Sequence, residues 1–227
     1  SYKFNSSGTQ LWTQTIATMT MAVATDSSGN SYFMGYTSSS MDSNSNAGAS
    51  DVFLVKYNSG GTKQWSSLSG TTSEDYGKGL SVDSNNNIYL TGHTKGDLDG
   101  NTNAGAPNHD IFLIKYYDNG TKHWTKQLGT SLNDYGMDVT VDSSDNIYVA
   151  AYVEGQLDGN TYAGGGDIVL IKYYDNGTKH WTQQLGSSST EQSQGVATDS
   201  SGNIYITGNT SGGLDGITNP PGVGGND

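Results

Sequence analysis

The chain has 227 residues, with 10 basic and 22 acidic side chains, a net charge of −12 and no cysteine. Every basic residue is a lysine, so there is neither a cationic face to replace counterions on nucleic acid nor a guanidinium to clasp a phosphate or carboxylate bidentately. The acidic surface is repelled by anionic lipid, no apolar run approaches the ~20 residues of a membrane span, and disulfides, thiolate metal sites and a cysteine nucleophile are ruled out. The expectation is no nucleic acid and no membrane insertion.

Hydrophobic residues make up 32% of the chain, with 32 glycines, 15 tyrosines and 4 tryptophans. Aromatics among small polar residues and glycine predict many short strands and many turns. The first residues, Ser1 to Phe4, show no signal-peptide pattern and no start methionine, which reads as a processed or excised piece. Trp12 is the first of four recurring tryptophans, followed by a strand at Met21 to Thr25. A looser copy of a repeat runs from Asp51 to Trp65 and continues through Asp83 to Tyr89. The unit returns from Asp110 to Trp124 and Asp142 to Tyr148, and again from Asp167 to Trp181 and Asp199 to Tyr205. Equivalent aspartates at 51, 110, 167 and 227 divide one domain, 1–227, into units at about 1–50, 51–109, 110–166 and 167–227.

In the copy from Asp110, an apolar run Ile111 to Tyr117 is followed by Asp118-Asn-Gly-Thr121, whose Asn-Gly predicts a type I′ hairpin. Strands then follow at Lys122 to Leu128, Asp138 to Val141 and Ile147 to Val153, and a long loop spans Gly155 to Gly166. No stretch has a capped 3.6-residue period, so helix content is expected to be very small. Four strands at this period predict an all-β propeller of four-stranded antiparallel blades. The N-terminal residues supply two strands of a unit and the C-terminal residues the other two. Four blades are therefore expected, one of them shared between the chain ends to hide their edges.

The pattern Asp-(Ile/Val)-Phe-Leu-(Ile/Val)-Lys-Tyr, then Gly-Thr-Lys-x-Trp, then Val-Asp-Ser-x-x-Asn-Ile-Tyr resembles the bacterial β-propeller repeat called SBBP, and its last segment is similar to the NHL-type blade. The resemblance covers essentially the whole chain. It implies that the strand around Val139 is innermost and the strand around Trp124 outermost. Four units fit a closed four-bladed ring, half of a dimeric ring, or a fragment of a longer array.

Candidate sites lie in loops and at strand ends. Asp97, Asp99, Asn101 and Asn103 alternate as oxygen donors able to wrap calcium, and Asp158 with Asn160, Asp42 with Asn44, and Asp215 with Asn219 are partial copies. The same side chains also suit turn capping around Leu98, Leu157 and Leu214. Asp26, Asp83, Asp142 and Asp199 read as hairpin acids accepting local backbone N–H groups. Tyr76 and Tyr135, with Ser193 at the matching place, offer faces for stacking a sugar or for packing between blades. His93 and His109 flank the acidic loop with Asp97 and Asp99, a conceivable transition-metal set.

The functional expectation is a non-enzymatic structural or adhesive module, secreted or at the cell surface, that binds a protein or glycan through its loops or self-associates. Calcium is the one cofactor in view. A lectin-like propeller and a polysaccharide-active enzyme are the alternatives. With three glutamates and no arginine to neutralise a uronate, a lyase is the weaker form of the last.

Overall fold

In a computed structural model of the chain, residues 1–16 and 18–214 are described, so Asp215, Asn219 and Asp227 lie outside the described residues. The first two strands, β1 (Tyr2–Phe4) and β2 (Gln10–Thr13), pair with each other. Three four-stranded antiparallel sheets follow. The first holds β3 (Met19–Thr25), β4 (Ser31–Thr37), β5 (Asp51–Tyr57) and β6 (Lys63–Ser69) in sequential order. The second holds β7 (Asp75–Val82), β8 (Ile88–Thr94), β9 (Asp110–Tyr116) and β10 (Lys122–Leu128). The third holds β11 (Asp134–Val141), β12 (Ile147–Val153), β13 (Asp167–Tyr173) and β14 (Lys179–Leu185), and β15 (Glu191–Thr198) pairs with β16 (Ile204–Thr210). The one helical element among the described residues is a 3-10 turn at Leu98–Gly100.

Successive inner strands contact each other across sheets, β3 with β7, β7 with β11 and β11 with β15. They therefore line a common axis, with Val139 on an inner strand and Trp124 on an outer edge strand. The two central strands of each blade are covered by neighbouring blades on both faces. Every residue of β8, β9 and β12 is buried, which is why these segments read as continuous apolar runs rather than as alternation. Alternation survives on the inner edge strands: Leu80, Val139 and Val196 point into the preceding blade and are 8%, 3% and 9% exposed.

Two local expectations change. The turn after Tyr117 is not type I′, because Gly120 has φ +83° and Asn119 is not in the positive-φ region. Gly120 N–H donates to Tyr117 O and Tyr117 N–H to Thr121 O. This is a three-residue hairpin loop ending in a left-handed glycine, with a bulge at Lys122/Trp124. The inner strand also begins earlier, at Asp134 rather than Asp138, because a bulge between Gly136 and Asp138 absorbs the break in alternation.

One contact repeats from blade to blade. The indole of three of the four outer strands lies over the turn glycine of the next blade: Trp12 over Gly61, Trp65 over Gly120, Trp124 over Gly177. Each Nε1–H donates to a carbonyl in that turn: Ser59 O at 3.3 Å, Asp118 O at 3.1 Å and Asp175 O at 3.2 Å. At the second and third of these places the turn aspartate also accepts a tyrosine hydroxyl, Tyr32 and Tyr89, and pairs with a buried lysine, Lys56 and Lys115. Glycine is required twice in each turn, by its positive φ and by the indole that a Cβ would strike.

The two ends differ from the interior. Among the described residues no pairing joins β16 to β1. Val23 is 59% exposed and Tyr205 58%, whereas Tyr32, Tyr89 and Tyr148, which match Tyr205, are at most 3% exposed.

Substituting Asp175→Ser should cost about 2–3 kcal/mol, because it strands the buried Lys115 ammonium, while the Tyr89 hydroxyl keeps Asp83 as acceptor; the half-exposed carboxylate keeps the cost below that of a fully buried pair. Ser59→Ala, where only the main-chain carbonyl is used, should change stability by under ~0.5 kcal/mol. Urea denaturation of the two variants tests the difference.

Candidate functional site

At one end of the axis the inner strands and their neighbours bring aromatic and imidazole rings into a continuous cluster. Tyr76 and Tyr135 follow the buried acids Asp75 and Asp134 at the start of β7 and β11, and strand register sets Tyr76 opposite His93 and Tyr135 opposite Tyr152. Tyr36 meets Tyr76 edge-on with ring centroids 4.6 Å apart. Tyr76 lies 5.3 Å from His93, and His93 is edge-on to both His109 and Tyr135 at 4.8 Å. Tyr135 then stacks on Tyr152 at 5.6 Å and 20°.

Beside this cluster opens a recess of about 410 Å³, lined by Lys78, His93, Tyr135, Met137, Tyr152, Glu154 and Gln192. Its wall draws on the inner strands of three successive sheets. Glu154 is held by the Tyr152 hydroxyl at 2.9 Å and the Asn133 amide at 3.1 Å. Burial, then the neighbouring His109, Lys78 and Lys95, pushes the His93 imidazole down to about 3, so it is neutral at physiological pH. Burial lowers His109 as well and raises the phenols of Tyr76 and Tyr135. His93 Nδ1 and His109 Nε2 have no hydrogen-bond partner. The recess thus joins neutral ring faces to one ammonium and one carboxylate at its rim, a chemistry suited to a polar ligand with an apolar face.

Both tyrosines singled out in the sequence belong to this cluster, and they contact each other's imidazole neighbours rather than loops. The matching place in the last copy is Gln192, not Ser193: Glu191 stands where Asp75 and Asp134 stand, and Gln192 follows it. The sequence did not reveal Lys78, Met137, Tyr152 or Glu154 as neighbours. The available signal was departure from the repeat. Register places Met19, Tyr76, Tyr135 and Gln192 at one set of equivalent positions, and Tyr36, His93, Tyr152 and Asn209 at the set opposite.

The loop oxygens take protein partners. Asp42, Asp99 and Asp158 each sit at φ of 51–52° and pair with Lys63, Lys122 and Lys179 of the outer strand. Asp97 accepts Asn103 N–H at 2.8 Å. Asn101, Asn160 and Asn44 donate to Leu98 O, Leu157 O and Met41 O, and Asn103 donates to Thr94 O and Asn108 O. Leu98 and Leu157 are buried anchors. Among the described residues no three His, Asp or Glu side chains converge as a metal cluster. His93 and His109 turn to the tyrosines, not to Asp97 and Asp99.

The hairpin acids behave as turn architecture. Asp142 accepts Ser144 N–H, Asn146 N–H, the Asn146 amide and the Tyr148 hydroxyl, all at 2.8–3.0 Å, and Asp26, Asp83 and Asp199 repeat the pattern. Burial alone would raise Asp142 and Asp26, but these hydrogen bonds outweigh it and lower both.

A family model for the SBBP β-propeller repeat matches residues 64–99, 123–152 and 180–215. This chain is a β-propeller repeat protein of the SBBP type. Its repeats are 26% identical over 183 residues to an uncharacterized WD repeat-containing protein of Acanthamoeba polyphaga mimivirus, covering 63% of this chain and 13% of that one. They are 29% identical over 111 residues to the regulatory protein FlaEY of Caulobacter vibrioides, covering 47% and 12%. The chain therefore spans about an eighth of either relative's length. A solved protein of unknown function from Bacteroides caccae superposes with a TM-score of 0.52 at 8% identity, over 93% of this chain and 63% of that one; the likeness is one of fold.

Removing the Asp99 partner by Lys122→Met should cost no more than ~1 kcal/mol, since the pair is partly exposed. Thermal unfolding in low and high salt tests this, with the cost shrinking as salt rises.

Proposed function

We propose that this SBBP propeller segment is a non-enzymatic binding module, secreted or at the cell surface, that takes its ligand in the axial recess rather than on its long loops. The observation that carries this reading is the contrast between scaffold and axis. Tryptophans, turn glycines and hairpin aspartates recur in each blade, while the residues around the recess vary across equivalent positions: Tyr76 and Tyr135 against Gln192; His93, Tyr152 and Asn209; Lys78, Met137 and Gln194. Architecture needs the first set to repeat. A site for one asymmetric ligand needs the second set not to.

The ligand class favoured is a carbohydrate. Ring faces at Tyr135 and Tyr152 stack on the apolar face of a sugar, and Lys78, Glu154 and Gln192 supply hydrogen bonds around its hydroxyls. A glycan array followed by calorimetry tests this. Tyr135→Ala should weaken the best glycan at least ~10-fold, the scale of one lost stacking contact, with far-UV circular dichroism unchanged. Glycans that ignore this substitution would sink the reading, and a protein partner would then be sought.

The open ends support a shared blade. By register, Ser6 of the β1–β2 turn matches Ser59, Asp118 and Asp175. Trp181, Tyr148 and Lys172 match the side chains that those turns cover in the earlier blades. Seating β1–β2 beside β16 would supply the outer half of the blade whose inner half is β15–β16 and cover Tyr205. Amide hydrogen exchange along the free edge of β16 tests the pairing, and light scattering separates closure within one chain from closure between copies. Fast exchange there at all concentrations would rule the shared blade out.

A further inference from the structure

Each blade meets the next at a pair of buried acids that no lysine reaches. Asp51 and Asp75 form the first pair, Asp110 and Asp134 the second, Asp167 and Glu191 the third, and none is more than 1% exposed. The members are brought together by bridging segments, with Asp75 N–H donating to Ser50 O, Asp134 N–H to His109 O and Glu191 N–H to Gly166 O. The six lysine ion pairs among the described residues all go to other acids.

The first acid of each pair has one oxygen held and one left over, and in the first pair Asp75 Oδ1 is left over as well. Ala47, Ala104 and Ala163 donate their N–H groups to Oδ2 of Asp51, Asp110 and Asp167 at 2.7, 2.8 and 3.0 Å. Oδ1 of each is buried without any hydrogen-bond partner. The neighbouring acid is fixed by the cap that precedes it: Thr71 and Thr130 donate N–H and hydroxyl to Asp75 and Asp134, and Ser187 does the same for Glu191. The main chain beside each free oxygen is cleared of side chain. A Cβ on Gly70, Gly129 or Gly186 would run into Asp51, Asp110 or Asp167, and at Gly129 it would also meet Asp134.

A buried carboxylate oxygen with no donor costs several kcal/mol, and a second carboxylate beside it adds repulsion. The same defect in three junctions is a design that a cation would complete. We propose that each junction binds a calcium ion between its two acids. Paired carboxylates match the charge of a dication, and carboxylate, hydroxyl and water oxygens are the hard donors calcium takes in flexible geometry. The all-oxygen set does not favour the transition metals that prefer imidazole or thiolate. Burial, the largest cause of the shift in each, pushes Asp75 and Asp110 up and Asp134 up to about 7, so the first two bare pairs resist full ionisation that a bound dication would permit.

The test is calcium uptake by the whole chain after EGTA treatment, read by calorimetry and by metal analysis after gel filtration. About three equivalents per chain and a Tm that rises with calcium are expected. Asp110→Asn should lose about one equivalent, and Asp99→Asn should retain all three. Terbium luminescence sensitised by the ring of Tyr152, which packs on Gly166 beside the third pair, gives a readout on the unmodified chain. The proposal is overturned if no calcium binds and stability simply falls as pH rises from about 4 to 7. That pattern belongs to acids whose folded-state pKa is raised, which stabilise below the unfolded value and stop doing so as pH passes the folded one. It is equally overturned if Asp99→Asn, and not Asp110→Asn, abolishes uptake.

Discussion

The fold depends on a seam in which an outer-strand indole covers the turn glycine of the next blade. A four-stranded blade of this sequence has two central strands that are apolar on both faces, so it cannot stand alone in water. Stacking is compulsory, and the indole contact sets its spacing. The ring covers the turn glycine, its N–H donates to a turn carbonyl, and in two of three seams an aspartate gathers a buried lysine and a buried tyrosine hydroxyl. Net charge of −12 spread over such a stack is tolerable because those acids are consumed in local hydrogen bonds and ion pairs.

The seam also explains where function can reside. Residues that hold one blade to the next must recur, and they do: tryptophan, glycine, the hairpin aspartate with its asparagine and tyrosine. The axis end is free of that demand. There Tyr76 and Tyr135 give way to Gln192, His93 to Tyr152 and Asn209, and Lys78 to Met137 and Gln194 without disturbing a seam, and the recess at this end, with Glu154 in its wall, has several kinds of donor, acceptor and ring face. The acid pairs stand between these cases. They repeat like scaffold, yet they leave buried carboxylate oxygens of Asp51, Asp75, Asp110 and Asp167 without donors.

Much of this was legible in the sequence. The repeat, the four strands of each unit and the small helix content follow from spacing and turn residues alone, and the hairpin aspartates were readable because Asp142 and Asn146 lie within one turn. Tyr76 and Tyr135 were visible as paired positions. The recess was not, because Lys78, Tyr135 and Gln192 come from three sheets and their proximity depends on how far each blade rotates about the axis. The alternating loop acids Asp97 and Asp99 looked like ion ligands because spacing shows oxygens but neither the Lys122 that reaches Asp99 from another strand nor the Asn103 N–H that Asp97 accepts. Asp51, Asp110 and Asp167 were visible as repeat markers, but their pairing with a second acid was not, for the opposite reason. Asp110 and Asp134 are 24 positions apart, and no local pattern joins them.

What the sequence by itself determined is periodic: strand identity, turn chemistry, the order of strands in a blade and the absence of a cationic face. These are fixed by near neighbours, through the two-residue pleat and the φ values that glycine and asparagine permit. Tertiary structure alone decided what meets across blades, including the neutral imidazoles of His93 and His109, the buried acid pairs and the exposed halves at the two ends. Those outcomes depend on desolvation and on distances between residues dozens of positions apart, and both exist only once the blades have stacked.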